Sequence, residues 1–469
     1  MGETKKNNII HYVIVAAFCL LFRFVPPVFG LTELGMGIIG TFIGAIYGWI
    51  MIDMLWPSML ALVGIGLSIG MDQMMAASFG SLSVVGLIVC MPAVGIAMKN
   101  GAFAWLASKL LTNKLMEGRG YLTLFIIFVL AWLTGSFSPI IMCVIFCGFL
   151  SSMFKQVGVE KDDPLVLFTL LGVAYQLMRG QILFPFMGTG LVYLQAYNNM
   201  FPNLPMPVID YLEMMIIMGL VMAVVLVALM KFLFRVDVSP LANYKVEGGV
   251  PSATKGQKIA LVIFVIFILA NILTVVGPFA AQLGKVGLVG IGILLGALVP
   301  LLKDENGNPL GSPAELLRMT DWGQIMMVGY IMVVSTQMMM PNTGIATAMS
   351  YLFRPFMALP PIVFIIVVMI LATILTNIAN NMLVTVLCMP ILVSFGTSIG
   401  MEPIGMVCLL FIISEFALAT PAASPVTAIA FSQTEWVSTG AMSKVAIKLV
   451  IPLFIVFMII AWPLQAIIF

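Results

Sequence analysis

Two stretches of this 469-residue chain, 121–155 and 361–396, are apolar but broken at their centres. Each consists of two apolar arms of about 15 residues around a polar break. The breaks read Thr134-Gly135-Ser136-Phe137-Ser138-Pro139 and Thr376-Asn377-Ile378-Ala379-Asn380-Asn381. At about 1.5 Å of rise per residue, one arm falls short of the roughly 30 Å of a bilayer core. A re-entrant hairpin satisfies both facts: the chain enters, turns at mid-depth and leaves on the side it came from.

The rest of the sequence supplies the membrane protein that such hairpins need. Apolar residues make up 62% of the chain and charged residues 9%, whereas a soluble surface carries roughly 25–35% charge. Disordered, collagen-like and disulfide-scaffold classes are excluded on the same ground. A net charge of +2 gives no case for nucleic acid. Apolar runs of spanning length fall near 9–29, 35–52, 55–70, 82–98, 165–197, 211–235, 257–276, 284–302, 321–340, 403–432 and 446–468, eleven in all. The first run is too long for a signal-peptide core, and no small-residue cleavage site follows it. The expected fold is an all-α polytopic membrane protein of about eleven spans and two re-entrant hairpins.

Charge sets the orientation. With a cytoplasmic N-terminus carrying Lys5 and Lys6, 17 of the 21 basic residues fall in inner loops. Only Lys285 and Arg354 fall outside, and Arg23 and Arg179 lie within spans. Positive-inside bias of this kind would be scrambled by an odd miscount of spans. The expectation is a multi-pass protein of the cell inner (plasma) membrane, surrounded by lipid, with its C-terminus outside.

Several chemistries drop out. The six cysteines form no Cys-x-x-Cys pair, and the one histidine, His11, opens the first span. Histidine-based zinc or acid–base chemistry is therefore not expected. No phosphate-cradling Gly-x-x-x-x-Gly-Lys-Ser/Thr run is present, so the chain carries no sign of a nucleotide-driven pump. No paired-carboxylate, Cys/His or metal constellation supports an enzyme. The 38 methionines read as pliable apolar packing at sliding surfaces.

The hydrophilic stretch 236–256 divides the chain into halves that match in order. Residues 1–77 precede the match as scaffold spans. The first repeat, 78–235, contains hairpin 121–155, and the second, 257–469, contains hairpin 361–396. Each runs from a span through Lys99-Asn100-Gly101 or Asn342-Thr343-Gly344 to a hairpin and then to a span interrupted by small residues. Gly101 precedes Phe137 by 36 residues, and Gly344 precedes Asn381 by 37. One hairpin opens from inside and the other from outside, so the repeat is inverted. Interrupted apolar segments at matching positions of inverted halves point to a transporter binding site.

A helix broken at mid-membrane frees N–H and C=O groups that must face protein, water or ligand. Helix N-termini suit an anion, and freed carbonyls with Asn, Ser and Thr oxygens suit Na⁺. The candidate substrate-binding residues are Ser136, Phe137 and Ser138 at the first tip, Thr189 in Gly188-Thr189-Gly190, and Asn380, Asn381 and Met382 at the second tip. Ser424 and Thr427 join them from Thr420-Pro421-Ala422-Ala423-Ser424-Pro425-Val426-Thr427.

These residues resemble the divalent anion:sodium symporters of the ion transporter superfamily, over about residues 78–469. That family has a Ser-Asn-Thr tip in each hairpin and a proline nine residues past the second asparagine. Asn380-Asn381-Met382 and Pro390 keep this spacing, and Ser424-Pro425-Val426-Thr427-Ala428-Ile429 is similar to the family's Thr-Pro-Pro-Asn-Ala-Ile-like run. Gly172-Val173-Ala174-Tyr175 and Gly188-Thr189 are similar too. The resemblance implies a homodimeric, elevator-type secondary transporter. It also implies one retained Na⁺ site at Thr376, Ala379, Asn381 and Ala423. The first tip departs from the pattern, with Phe137 in place of the asparagine and Trp132 where an oxygen ligand is expected. Ser138 and Met382 stand where the family has threonine.

Two charges remain within spans, Arg179 and Glu415, each about nine or ten residues before a small-residue break. Intramembrane charges are costly and mark function by default. Arg179 is expected to stand as a fixed positive charge beside the anion, and Glu415 to pair with it or carry a proton. The expected function is transport of a small anion (di- or tricarboxylate or sulfate-like), coupled to Na⁺ through the second half. The alternatives are a cation/proton antiporter or a Na⁺-independent anion exchanger of the same superfamily, or a channel.

Overall fold

The computed structural model describes residues 2–112, 114–245, 250–353 and 359–469. Gly248 and Gly249 of the linker and Arg354 lie outside them. The described residues are helical, with one isolated β-bridge between Lys303 and Pro309. The first scaffold helices are α1 (Gly2–Ala16), α2 (Glu33–Met51), α3 (Leu55–Ile69) and α4 (Met71–Ala77). Then come α5 (Leu82–Val89), α6 (Met91–Lys99), α7 (Ala102–Leu111), α8 (Gly120–Gly135), α9 (Pro139–Val157), α10 (Pro164–Gly180), α11 (Gly188–Met200) and α12 (Val208–Ala228). After the linker stand α13 (Lys255–Leu273), α14 (Ala280–Leu298), α15 (Pro313–Leu317), α16 (Trp322–Met338) and α17 (Ile345–Phe353). The chain ends with α18 (Pro361–Thr376), α19 (Asn381–Ser398), α20 (Pro403–Ser414), α21 (Pro425–Phe431) and α22 (Thr439–Ile468).

Among the described residues, eight helical segments are long and apolar enough to cross a membrane. Two of the eight are the second hairpin arms, α9 (19 residues) and α19 (18 residues), which are longer than the arms of about 15 residues expected. Six of the eleven runs therefore give segments of spanning length, and the others fold as shorter pieces. The run 165–197 becomes α10 and α11, and the run 403–432 becomes α20 and α21. The 55–70 run gives a helix of 15 residues, and the 321–340 run one of 17. The chain is an all-helical, multi-pass membrane protein.

Local sequence explains the starts and stops. Proline occupies the first or second position of α9, α10, α18, α20 and α21, where no N–H is needed. Side-chain oxygens of Asp163, Asn380, Glu402 and Ser424 cap the helices that follow them. Gly101 and Gly344 hold matching turns, before α7 and α17, at φ of +63° and +70°. That region costs a residue with a Cβ, so glycine suits both halves at this point.

Within the membrane no hydrophobic force separates helix from lipid, so close packing falls to small residues. A Cβ at Gly180 of α10 would lie 2.1 Å from the Trp132 carbonyl oxygen of α8, and one at Gly135 of α8 would lie 2.3 Å from Leu177 O of α10. The backbones touch here, which fixes the first hairpin against its broken span. The same plan governs the second half, where α18 packs on α20. The other arm of each hairpin reaches the opposite half: α9 packs on α21, and α19 on α11. Lys155 pairs with Glu435 at 2.9 Å, and Trp436 Nε1 donates to Ser151 Oγ at 2.9 Å, sealing the α9 side.

Candidate functional site

The arms α8 and α9 meet at Ser136–Ser138, and α18 and α19 meet at 377–380, so both hairpins turn at the predicted tips. The first tip satisfies itself. Thr134 donates to Leu130 O at 2.7 Å, and Ser136 to Leu133 O at 2.8 Å. Phe137 stacks on Phe103 of α7 at 4.6 Å between ring centres, and meets Phe264 of α13 edge-on at 4.9 Å. Ser138 precedes α9 without capping it, so its first N–H groups have no side-chain cap.

The second tip is tied across to the break 415–424. Asn377 Nδ2 donates to Phe416 O at 3.0 Å, and its Oδ1 accepts from Leu418 N at 2.9 Å and Ala419 N at 2.7 Å. Thr420 Oγ1 donates to Asn377 O at 3.2 Å. One carboxamide thus matches three of the backbone groups that an unwound segment exposes. Thr376 Oγ1 lies 2.7 Å from Asn381 Oδ1 and also contacts Ser414 O. Ser424 Oγ caps Thr427 N at 3.0 Å, and Thr427 Oγ1 donates to Ala417 O at 2.6 Å.

Glu415 joins all these parts. Its side chain is fully buried. Oε2 accepts from Gln181 Nε2 at 2.6 Å and from Asn381 Nδ2 at 3.0 Å, and Oε1 accepts from Tyr193 Oη at 2.9 Å. The first-half break, α11 and the second tip therefore converge on one carboxylate. Every partner is a neutral donor, the set that a buried carboxylate requires. Arg179 is not its ion-pair partner: among the described residues no pair within 4.0 Å joins them.

A cavity of about 360 Å³ lies between the two tips and the two breaks. Ser136, Phe137, Ser138 and Thr189 line it from the first half, and Asn380, Asn381, Met382, Ala423 and Ser424 from the second. The N-terminal ends of α9, α11 and α19 all reach this wall, through Ser138, Gly188 and Asn381. Methionines Met54, Met91, Met98, Met178, Met187 and Met382 supply much of the remainder. The cavity extends to Met319 and Asp321, and Asp321 is its single charged lining residue among the described ones. That end adjoins Lys99, which pairs with Glu315 at 2.6 Å. The pair holds the exposed Glu315 carboxyl below its ordinary value, chiefly through the lysine hydrogen bond.

Arg179, Thr427, Thr376 and Ala379 are not among the lining residues. Thr376 and Thr427 stand just behind it, bound to Asn381 and Ser424. Arg179 stands away from it because Gln181, which does line it, is two residues on. Two helical residues are turned about 200° from one another. Sequence reasoning missed Asn377, Gln181 and Tyr193 as working residues. The available signal was the buried charge itself, since Glu415 must find donors among the few polar side chains of neighbouring apolar segments.

No protein-family model matches the chain. It is similar to a Haemophilus influenzae protein named as an uncharacterized transporter, 25% identical over 367 residues, which are 73% of this chain and 75% of that one. In structure it is similar to the YdaH transporter of Alcanivorax borkumensis, whose crystal structure is described as having an unusual topology. The TM-score is 0.58 at 12% identity, over 84% of this chain and 88% of that one. The chain shares that transporter's fold.

Proposed function

We propose that this protein is a secondary active transporter whose substrate, a small organic anion, binds between the hairpin tips. The observation that carries the reading is the meeting of both tips, both breaks and three helix N-termini on one cavity. Such ends present N–H groups and positive dipole to an anionic group without a basic side chain. The volume of about 360 Å³ suits a small metabolite. The methionine-rich remainder favours a carboxylate with an apolar portion over sulfate. Similarity to two proteins named as transporters supports the general class.

Coupling is assigned to Na⁺ at Thr376, Ala379, Asn381 and Ala423, on the pattern of the divalent anion:sodium symporters. Two of those oxygens, Thr376 Oγ1 and Asn381 Oδ1, lie 2.7 Å apart, and Glu415 places a carboxylate on the same asparagine. Exchange of access would carry hairpins and breaks past the scaffold helices as one body, in a homodimer with the N-terminus cytoplasmic. A second reading, proton coupling through Glu415, is favoured by its place at the junction of both breaks.

The test is uptake by proteoliposomes of a panel of radiolabelled mono- and dicarboxylates, under an inward Na⁺ gradient or an inward proton gradient with choline. Accumulation that requires Na⁺ and is lost in Asn381→Ala is the expected result. Accumulation driven equally well in choline by the proton gradient, and abolished by Glu415→Gln, replaces Na⁺ by H⁺. Cation flux that needs no anion overturns the anion reading.

A further inference from the structure

Eight buried side-chain polar atoms have no hydrogen-bond partner among the described residues, and five of them belong to one place. They are Trp132 Nε1, Tyr175 Oη, Gln176 Oε1, and Arg179 Nε and Nη1. Tyr175, Gln176 and Arg179 occupy one turn of α10, with Arg179 about 40° round from Tyr175 and about 60° from Gln176 at 3.6 residues per turn. Trp132 packs on the same turn from α8, its carbonyl against Gly180. Its indole reaches Gly219 of α12, where a Cβ would lie 2.3 Å from Nε1. Gln176 Nε2 donates to Gly219 O at 3.3 Å, so indole and carboxamide share that residue. Tyr175 faces Phe416 at 5.1 Å between rings.

Each of these four side chains is at least 97% buried, and Arg179 is 99% buried. A guanidinium carries its charge under all ordinary conditions. A buried ion without a partner costs several kcal/mol, so the arginine requires a counter-charge. Glu415 acts on it only through space: among the described residues no ion pair joins them, and the carboxylate's hydrogen bonds go to Gln181, Tyr193 and Asn381, so Arg179 Nε and Nη1 are left without an acceptor there. The unpaired atoms are also lopsided in kind. Four can donate (two arginine nitrogens, the indole and the phenol), whereas Gln176 Oε1 can only accept and the phenol can do either. Water could meet some of these groups but brings no charge to set against Arg179. An anion takes the donors and needs no acceptor.

We propose that Trp132, Tyr175 and Arg179 form a second binding site, for a small inorganic anion of halide size, separate from the cavity between the tips. Arg179 and Tyr175 do not line that cavity. The bound anion neutralises Arg179 and braces α8 against α10, the contact that sets the first hairpin's position. The proposal does not depend on which substrate or coupling ion the transporter uses.

Bromide is the probe. The purified protein, free of substrate, is melted in sodium gluconate with increasing sodium bromide, and its anomalous density is recorded in crystals grown with bromide. A saturable rise in Tm and a bromine peak beside Trp132 Nε1 and Arg179 are expected. Trp132→Phe, which removes one N–H and keeps the ring, should weaken the bromide midpoint about tenfold while the variant still folds. Arg179→Gln should abolish the response. Equal melting in gluconate and bromide, or an Arg179–Glu415 ion pair with no bromine peak, overturns the proposal. So does competition between bromide and a transported carboxylate, because that would place Arg179 in the substrate site. Loss of carboxylate uptake with the bromide response intact would count against the transport reading alone.

Discussion

The two hairpin tips use one backbone device with opposite chemistry. The first closes on itself, Ser136 and Thr134 bonding back into α8, and presents Phe137 to Phe103 and Phe264. The second also bonds within itself, Asn377 to Thr373 O and Thr376 to Asn381, but in addition reaches the facing break through Asn377 and Glu415 through Asn381. An aromatic tip grips without direction and can slide. An amide tip is fixed in register, because each bond lost strands a buried partner. Geometry is thus shared between the halves, while the polar network that can hold a coupling ion belongs to the second. The first half contributes donors, Gln181 and Tyr193, to a carboxylate it does not own.

This contrast can be broken most severely at Glu415. Glu415→Ala leaves two buried donors, Tyr193 Oη and Asn381 Nδ2, and the half-buried Gln181 Nε2 unpaired, so a loss of about 3–5 kcal/mol is expected. Uptake should fall by at least a hundredfold, read in proteoliposomes, with a lower Tm in detergent. Glu415→Gln keeps the shape but not the charge, and should restore most of the Tm without the coupled uptake. Asn377→Ala comes next. It strands Ala419 N and leaves Phe416 O and Leu418 N only their mutual bond at 3.0 Å, at an expected cost of about 1–3 kcal/mol. Hydrogen exchange at residues 415–424 should accelerate while exchange near 134–138 stays unchanged. Equal acceleration at both tips would refute the idea that the two networks are independent.

Much of this plan was legible from the sequence. The polar breaks at 134–139 and 376–381 marked where the helices stop and restart, but the arm lengths did not follow: the first arms are 16 residues each, while α9 and α19 run to 19 and 18. Asn381 and Glu415 stood out because amides and charges are costly in lipid. What could not be read was the partnership. Gln181 and Tyr193 precede Glu415 by 234 and 222 residues, and no local period links them. Arg179 illustrates the converse. Its depth was evident, but the face it takes on α10 depends on packing against Gly180 and Gly219, which only the three-dimensional arrangement specifies.

The aromatic tip gives a smaller effect. Phe137→Ala removes contacts with two rings, each pair contributing about 0.5–1.5 kcal/mol beyond area. The expected outcome is a drop in Tm of a few degrees and a change of several-fold in uptake rate, with Na⁺ dependence unaltered. Phe137→Leu should recover most of the loss, since the tip needs bulk and no hydrogen bond. If Phe137→Ala instead changes the ion requirement, the first tip has a coupling role and the contrast between the halves fails.

The smallest effect is expected outside the cavity lining, where Lys99 of α6 pairs with Glu315 of α15. The folded Glu315 carboxyl is held below its ordinary value by the lysine. A depressed acid contributes stability that is present above its unfolded value, about pH 4, and lost as pH falls through the lower folded value. The contribution is therefore complete at neutral pH and fades in the acid range only. Both side chains are partly exposed (33% and 50%), so solvent and salt screen the pair. Glu315→Gln should leave Tm nearly unchanged at neutral pH and high salt, with a slight decrease at low salt. The variant's Tm should converge with the wild type's as both are taken into acid. A large decrease at neutral pH would mean that this tether, and not the amide network at the second tip, holds the halves in register.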